Sequence, residues 1–550
     1  MIPPDLASPP TGMAYATEKG HRLYYALILA AVLLALVLRL PQLSRRPMHT
    51  DEAVHAEKFH LLLEQGRYDY DPEEYHGPTL NYFTLIPARL SGANQFTEVT
   101  ERTLRIVPVF FGVLLVLFLP LMFRGLGPTA AVIAAFLTAV SPAMVYYSRY
   151  YIQEMLLVCF TFGAIASGYR YWQTRHILWV ILTGMFLGLM HATKETCIVT
   201  FGCMLLALLL TLLAAHRRFA AVFNTLRTLK LTHLIAIAAV ALAVSGLFCS
   251  SFLTNPRGSL DSFLTYKTYF DRAGASFHIH PWNYYLKMLL WFRFGDGPLW
   301  TEALIVLLAV VGCIAAIRGK RPPRSDVNLL RFIAFYTIAM TVVYSAVPYK
   351  TPWCVLGFLH GMILLAALGA VVLLRAVHGR VCLLAALVLT CGFFHLTYQA
   401  YRGSYIFYAD PRNPYVYAHT SPDIFAMVHR IEEVAAVHPA GRKMPVHIIC
   451  PGRDYWPFPW YLRSFQRVGY YDCVTDDVIS ASVIIASASL EQELLNRLYL
   501  LPPPGQKLLY IPLFDTYMEL RPTVELRGYL PKELWDLIQR GRTNPGKVPP

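Results

Sequence analysis

The sequence predicts a mainly α-helical, polytopic membrane protein with an α/β domain following its last span. Three observations predict it. Hydrophobic residues make up 56% of the 550 and charged residues only 15%, with a mean hydropathy of +0.43, which excludes the disordered and fibrous classes. About eleven apolar runs qualify as candidate spans, at 23–40, 103–122, 129–147, 151–169, 177–190, 197–213, 234–253, 299–317, 329–347, 355–374 and 381–398. Beyond about residue 400 no such run occurs, and strand-like stretches alternate with helical ones. The expected plan is a cytoplasmic segment 1–22, a transmembrane domain 23–399 with outer loops 41–102 and 254–298, and an extracytoplasmic α/β domain 400–550.

Residues 1–22 are Pro-rich and polar and read as a loose lead. The first run follows Arg22 and has no small-residue cleavage site after it, so it reads as a retained span rather than a removed signal. The net charge of +14 does not come from a basic module interleaved with exposed aromatics, which argues against nucleic acid. It comes from alternate loops that carry Arg124, Arg170, Arg175, Arg217, Arg218, Arg318, Lys320, Arg375 and Arg380, with Asp326 as their one acid. That asymmetry places the N-terminus in the cytoplasm. An odd number of spans then puts the C-terminal domain outside.

The first outer loop contains Met48-His-Thr-Asp51-Glu52-Ala-Val-His55 and runs on to Glu74-Tyr-His76-Gly-Pro-Thr-Leu-Asn-Tyr-Phe83. Apolar and charged positions alternate from Ala53 to Glu64 as in a helix lying on the membrane surface. Thr50 or Asp51 would cap its start, and Asp51 and His55 would share one face at i,i+4 spacing. Ionisable groups concentrated against a bilayer are costly unless they meet a ligand.

The next outer turn holds Arg149 and Glu154, each costing roughly 2.5 to 3.5 kcal/mol within hydrocarbon. They would pair, snorkel, or offer a guanidinium to a phosphate. The fifth run is short and leads into His191-Ala-Thr-Lys194-Glu195, which suggests that water reaches down to these residues; a local Lys194–Glu195 charge balance is the plainer alternative. The basic connection 216–233 suits anionic headgroups. The aromatic loop 254–300 includes His278 and His280, two histidines without a third metal ligand. Lys350, between two prolines, would meet an anionic headgroup.

In the last domain, 446–450 and 483–486 read as strands and 490–500 and 531–540 as helices. The aromatic loop 452–463 suits either sugar binding or docking. Eight of the ten cysteines lie in or beside apolar runs, where they are small hydrophobes; Cys450 and Cys473 would be free to pair in an oxidising compartment.

On this topology the polar groups that packing does not explain share one side: Asp51, Glu52, His55, His76, Arg149, Glu154, His191, Lys194 and Lys350. An acid that accepts a proton, set beside cations that hold phosphate, fits transfer from a lipid-phosphate donor to an acceptor hydroxyl. Direct displacement would invert the anomeric centre.

At these residues the chain resembles a known group. Asp51-Glu52 after the first span, the His76-Gly-Pro-Thr-Leu80 turn, and Ser148-Arg149 followed by Glu154 resemble the polyprenyl-phosphate-dependent glycosyltransferases of the membrane GT-C fold. Within these they resemble the protein O-mannosyltransferase and lipid A aminoarabinose transferase superfamily. The longer stretches Tyr75–Phe83, Ser148–Met155, His191–Thr196, Tyr349–Trp353 and Asp454-Tyr-Trp-Pro are similar to prokaryotic members named for association with flippase activity in archaeal-type protein glycosylation, a likeness covering nearly the whole chain. The resemblance implies that Asp51 is the catalytic carboxylate and Glu52 its partner, that Arg149 contacts the lipid phosphate, and that Glu154 is the acid lining the cavity. Where the aminoarabinose transferases have Glu-Lys-Pro, this chain has His76-Gly77-Pro78, so Lys194 or Lys350 would take over the missing phosphate contact. His55, His76 and His191 complete the candidate substrate-binding set. A divalent metal stays open as cofactor, since no complete ligand set is visible. The expected partners are a polyprenyl-phosphate-linked sugar, a glycan, lipid or protein acceptor, and membrane lipids. The alternatives are a flippase or flippase accessory for lipid-linked sugars, which should line an inner path with polar groups, and a noncatalytic glycan receptor. Charges gathered on one face favour the enzyme.

Overall fold

The structure is a computed structural model, and it describes residues 11–71, 73, 76–216, 227–272, 278–501, 505 and 507–543. The chain forms two compact units. The first comprises Met1–Leu43, Arg67–Thr84 and Arg105–Tyr415; the second comprises Ser44–Gly66, Leu85–Leu104 and Val416–Pro550. The first outer loop read from the sequence is thus divided between them.

The first unit is built of apolar helices, the form in which a chain crossing hydrocarbon satisfies its own backbone polar groups. Among the described residues, seven helices are long and apolar enough to span: Arg22–Arg39, Glu101–Leu126, Cys197–His216, Leu231–Cys249, Val327–Ala346, Pro352–Ala376 and Gly379–Ile406. Pro128–Val140, Ile177–His191 and Ala303–Ile317 are shorter apolar helices, and Glu154–Thr174 is helical as well. Each apolar run of the sequence therefore falls largely on helix, although 299–317 becomes helical only at Ala303 and 234–253 ceases to be so after Cys249. The run 129–147 is broken in two because Ser141 ends one helix and caps the next, which has Pro at its start. The first helix begins at Thr11, so the expected loose lead is helical from that point; residues 1–10 lie outside the described set.

Exposed leucines such as Leu205, Leu242 and Leu383 mark faces suited to lipid. Leu356–Ala376 is different, being buried at every position from Phe358 to Ala370. It meets Ala303–Ile317 at a pair of glycines. A Cβ on Gly312 would lie 1.9 Å from the Leu365 carbonyl oxygen, and one on Gly369 would lie 2.1 Å from that of Leu308. Small residues let the two backbones touch there.

The second unit centres on a six-stranded sheet of order β2-β1-β3-β6-β4, with β5 paired to β6. The strands are β1 (Val446–Ile449), β2 (Val468–Tyr471), β3 (Val483–Ser487), β4 (Tyr510–Pro512), β5 (Glu519–Arg521) and β6 (Val524–Pro531). β1 runs parallel to both β2 and β3, and β6 is antiparallel to β3. Both faces are covered, which is why β1 and β3 are mostly apolar, with His447 in β1 and Ser487 at the end of β3 as the exceptions. Val446, Ile448, Val483 and Ile485 pack with Ile424, Met427 and Ile431 of the Asp423–Val437 helix, while Ile449, Ile484 and Ala486 pack with Val478, Leu494 and Leu498. The Lys532–Thr543 helix adds Ile538 to the first of these layers.

Two expectations are corrected here. The segment after the first span is helical, Thr50–Gln65, but Ala53, Ala56, Phe59 and Leu62 are buried within the protein; its apolar stripe is not laid on a membrane surface. Cys450 and Cys473 are both free thiols, the first buried in the sheet and the second exposed.

Candidate functional site

In the second unit the site residues cluster at the start of the Thr50–Gln65 helix. Its N-cap is neither Thr50 nor Asp51, as expected from the sequence, but His49. The Asp51 N–H donates to His49 Nδ1 at 3.0 Å, and the His49 N–H donates to Glu52 Oε2 at 3.1 Å, a reciprocal capping box. Nδ1 must be unprotonated to accept, and Nε2 lies 3.1 Å from the Tyr417 carbonyl oxygen, so the geometry assigns the neutral Nε2–H tautomer. Burial pushes the His49 pKa down, against the pull of Asp51 and Glu52. Glu52 is fully buried and also pairs with Arg46 at 3.0 Å. His55 is buried, whereas the Asp51 side chain is 42% exposed. The capping work thus falls to His49 and Glu52 and leaves the Asp51 carboxylate open to solvent.

Further contacts fix this corner. The Met48 N–H donates to the Tyr461 hydroxyl at 2.9 Å, Thr420 Oγ1 donates to the Met48 carbonyl at 2.7 Å, and the Ser421 N–H donates to the Leu520 carbonyl at 2.8 Å. Arg521, next along β5, pairs with Asp454 at 2.8 Å and donates to the Trp456 carbonyl. Burial lowers the Arg521 pKa, while Asp454, Cys450 and Asp51 oppose the shift. The aromatic loop is largely structural: Phe458 and Trp460 are buried, and the Trp460 indole N–H donates to Glu101 at 2.9 Å.

In the first unit, Arg149 is almost buried. It donates to the carbonyls of Arg39 and Pro41 at 2.7 Å and of Gln42 at 3.2 Å. The Tyr405 ring lies 4.5 Å from its guanidinium, and the Tyr405 hydroxyl accepts at 3.0 Å. The guanidinium therefore gathers the end of the first span onto the Ser148-Arg149 turn.

Lys194 forms a buried ion pair with Glu154. The local Lys194–Glu195 balance is not what forms. Glu195 instead takes His76 Nδ1 at 2.8 Å and the Tyr70 hydroxyl at 3.1 Å. Burial works against the Lys194 charge, but Glu154 outweighs it and raises the lysine pKa. The ion pair opens on a cavity lined also by Thr161, Thr196, Tyr344 and Trp353.

The His76-Gly-Pro-Thr turn is clamped to the His191–Thr196 stretch. The Gly77 N–H donates to Thr193 O at 3.1 Å, Thr79 and Thr193 hydroxyls meet at 2.8 Å, and a Cβ on Gly77 would lie 2.2 Å from the Ala192 carbonyl oxygen. Only glycine allows that approach. His191 Nδ1 meets Ser245 Oγ at 2.6 Å. Lys350 is buried and donates to the carbonyls of Val347 and His280, so it closes its own turn rather than reaching out to a headgroup.

The structure thus joins Glu154 with Lys194 and ties His76 to the stretch bearing His191. Among the described residues no group of three or more His, Cys, Asp or Glu is placed to hold a metal ion. Tyr405 and Arg521 were not singled out from the sequence, and Glu195, read there beside Lys194 as a local charge balance, serves instead as the partner of His76 and Tyr70.

A family model described as dolichyl-phosphate-mannose-protein mannosyltransferase matches residues 76–248, the stretch that carries His76, Arg149, Glu154, His191 and Lys194. A comparison with curated protein sequences gives no match. Among solved structures the chain is similar to ArnT from Cupriavidus metallidurans bound to undecaprenyl phosphate, with a TM-score of 0.59 and 15% identity over 91% of this chain and 97% of that one. It is also similar to the oligosaccharyltransferase AglB from Archaeoglobus fulgidus, in complex with an inhibitory peptide and a dolichol-phosphate, with a TM-score of 0.53 and 13% identity over 85% of this chain and 70% of that one. At these identities the likeness is one of fold. The chain has the GT-C-like architecture expected from its motifs, that of a multi-pass membrane protein. Together with the family match it supports a membrane glycosyltransferase.

Proposed function

We propose that the protein transfers a sugar from a polyprenyl-phosphate-linked donor to an acceptor hydroxyl on the outer face of the membrane, inverting the anomeric carbon. The observation that carries this reading is the spared carboxylate: His49 and Glu52 make the helix cap, and Asp51 keeps a half-exposed side chain in a chain of GT-C-like fold. Asp51 takes the proton of the acceptor hydroxyl. The acceptor oxygen forms a bond to the anomeric carbon as the bond from that carbon to the phosphate oxygen breaks, and the polyprenyl phosphate departs with the electron pair. Arg149 supplies positive charge to the departing phosphate. Lys194 is the second phosphate-binding cation, with Glu154 holding it protonated beside the cavity.

The test uses purified full-length protein with undecaprenyl-phosphate- and dolichyl-phosphate-linked hexoses. Asp51→Asn is expected to lower transfer by about 10²- to 10⁴-fold, and Arg149→Ala to lower it while raising the donor KM. Unchanged transfer in both variants would refute the assignment. Mass analysis of lipid-linked sugars accumulating in a strain that lacks the protein identifies the natural donor.

A further inference from the structure

Asp51 has neighbours in the α/β unit that the proposed reaction does not yet use. In the order β2-β1-β3 the chain leaves β1 on one side and returns on the other, and ligands in such parallel sheets bind beyond the carboxyl ends of the strands where the order reverses. The segment leaving β1 there is Cys450-Pro-Gly-Arg-Asp454. Arg453 N–H anchors it to Asp472, just past β2, at 2.8 Å. Arg521 then grips Asp454 at 2.8 Å, and the Asp454 side chain stays 38% exposed.

Asp51 lies close enough to the same guanidinium to act on its charge. Two half-exposed carboxylates therefore answer to one largely buried arginine, Asp454 as its ion-pair partner and Asp51 through its field alone. Arg521 Nε is buried without a hydrogen-bond partner, so the guanidinium is not arranged merely to saturate the loop around it. Tyr455, 5.0 Å from Tyr470 between ring centres, and Trp456 stand beside Asp454, both partly exposed.

A carboxylate that accepts a hydrogen bond from one hydroxyl, next to another that takes the proton from a second, matches an acceptor with neighbouring hydroxyls. A peptide serine or threonine offers one. We infer that Asp454, held by Arg521, binds a hydroxyl of a saccharide acceptor next to the hydroxyl that Asp51 deprotonates. The α/β unit then selects the acceptor. This rests on Asp51 as the base.

The experiment gives the purified full-length protein a polyprenyl-phosphate-linked hexose and, in parallel, methyl-capped hexose disaccharides or a Ser/Thr-rich peptide. Transfer to the disaccharides is expected. Asp454→Asn should raise their KM by about tenfold or more while the donor KM holds, and Arg521→Lys should fall between wild type and Arg521→Gln. Thermal midpoints confirm that the variants fold. Transfer to the peptide alone, transfer to neither acceptor, or an unchanged disaccharide KM in Asp454→Asn overturns the inference. Full activity of Asp51→Asn overturns the base assignment instead, so the two failures are separable.

Discussion

His49 couples the geometry of the proposed base to pH. Its imidazole accepts the Asp51 N–H only when Nδ1 is bare, and burial holds its folded pKa below the ordinary value of about 6.5. The unfolded chain binds the proton first. Its stabilising contribution is thus complete above about pH 6.5 and is lost as the pH falls through that value toward the lower folded one. Asparagine can also cap but does not titrate. Between about pH 7.5 and 5.5, His49→Asn should show a shallower fall in thermal midpoint than wild type, and His49→Ala should be less stable by about 1 kcal/mol at the upper end. Identical pH slopes for wild type and His49→Asn would remove His49 from the acid response. The sequence hid this cap, because Thr50 and Asp51 are ordinary N-cap residues and histidine is not. It hid the partner of Lys194 for a related reason, since the adjacent acid, Glu195, is drawn off by His76 and Tyr70 and the actual partner lies forty positions back at Glu154.

At the scale of the element, the apolar runs were legible because a chain in hydrocarbon has little choice but helix, and β1 and β3 because strands covered on both faces are mostly apolar, His447 being the exception within β1. The Asp423–Val437 helix was not singled out, and β5, which carries Arg521, is three residues long and too short to show a period. The crossing of Ala303–Ile317 with Leu356–Ala376 tests how tightly the helices pack. Gly312→Ala would set a methyl against the Leu365 carbonyl and should cost about 1 to 3 kcal/mol. Gly202→Ala, where nothing lies within 4 Å, should be neutral or stabilise by up to about 1 kcal/mol. Thermal unfolding in detergent reads both, and equal midpoints would mean that the backbones can separate without penalty.

At the scale of the molecule, the proposed reaction divides by chemistry. The unit built of apolar helices holds Arg149, Glu154 and Lys194, the groups assigned to a lipid phosphate; the unit built on a sheet holds Asp51, Arg521 and Asp454, the groups assigned to a soluble hydroxyl. Sequence order conceals this, because residues 44–66 and 85–104 belong with Val416–Pro550, and contacts between such distant stretches leave no periodic trace. The Leu356–Ala376 helix has a consequence of another kind. It is as greasy as its neighbours, yet the finished protein sheathes it, with Leu364 only 3% exposed. A newly made segment of that composition enters the bilayer bare and must later trade acyl chains for protein. A photoreactive group at Leu364 should therefore label phospholipid in chains halted soon after this helix emerges from the ribosome and lose that labelling once synthesis is complete, which makes the moment of its enclosure a measurable step in biogenesis.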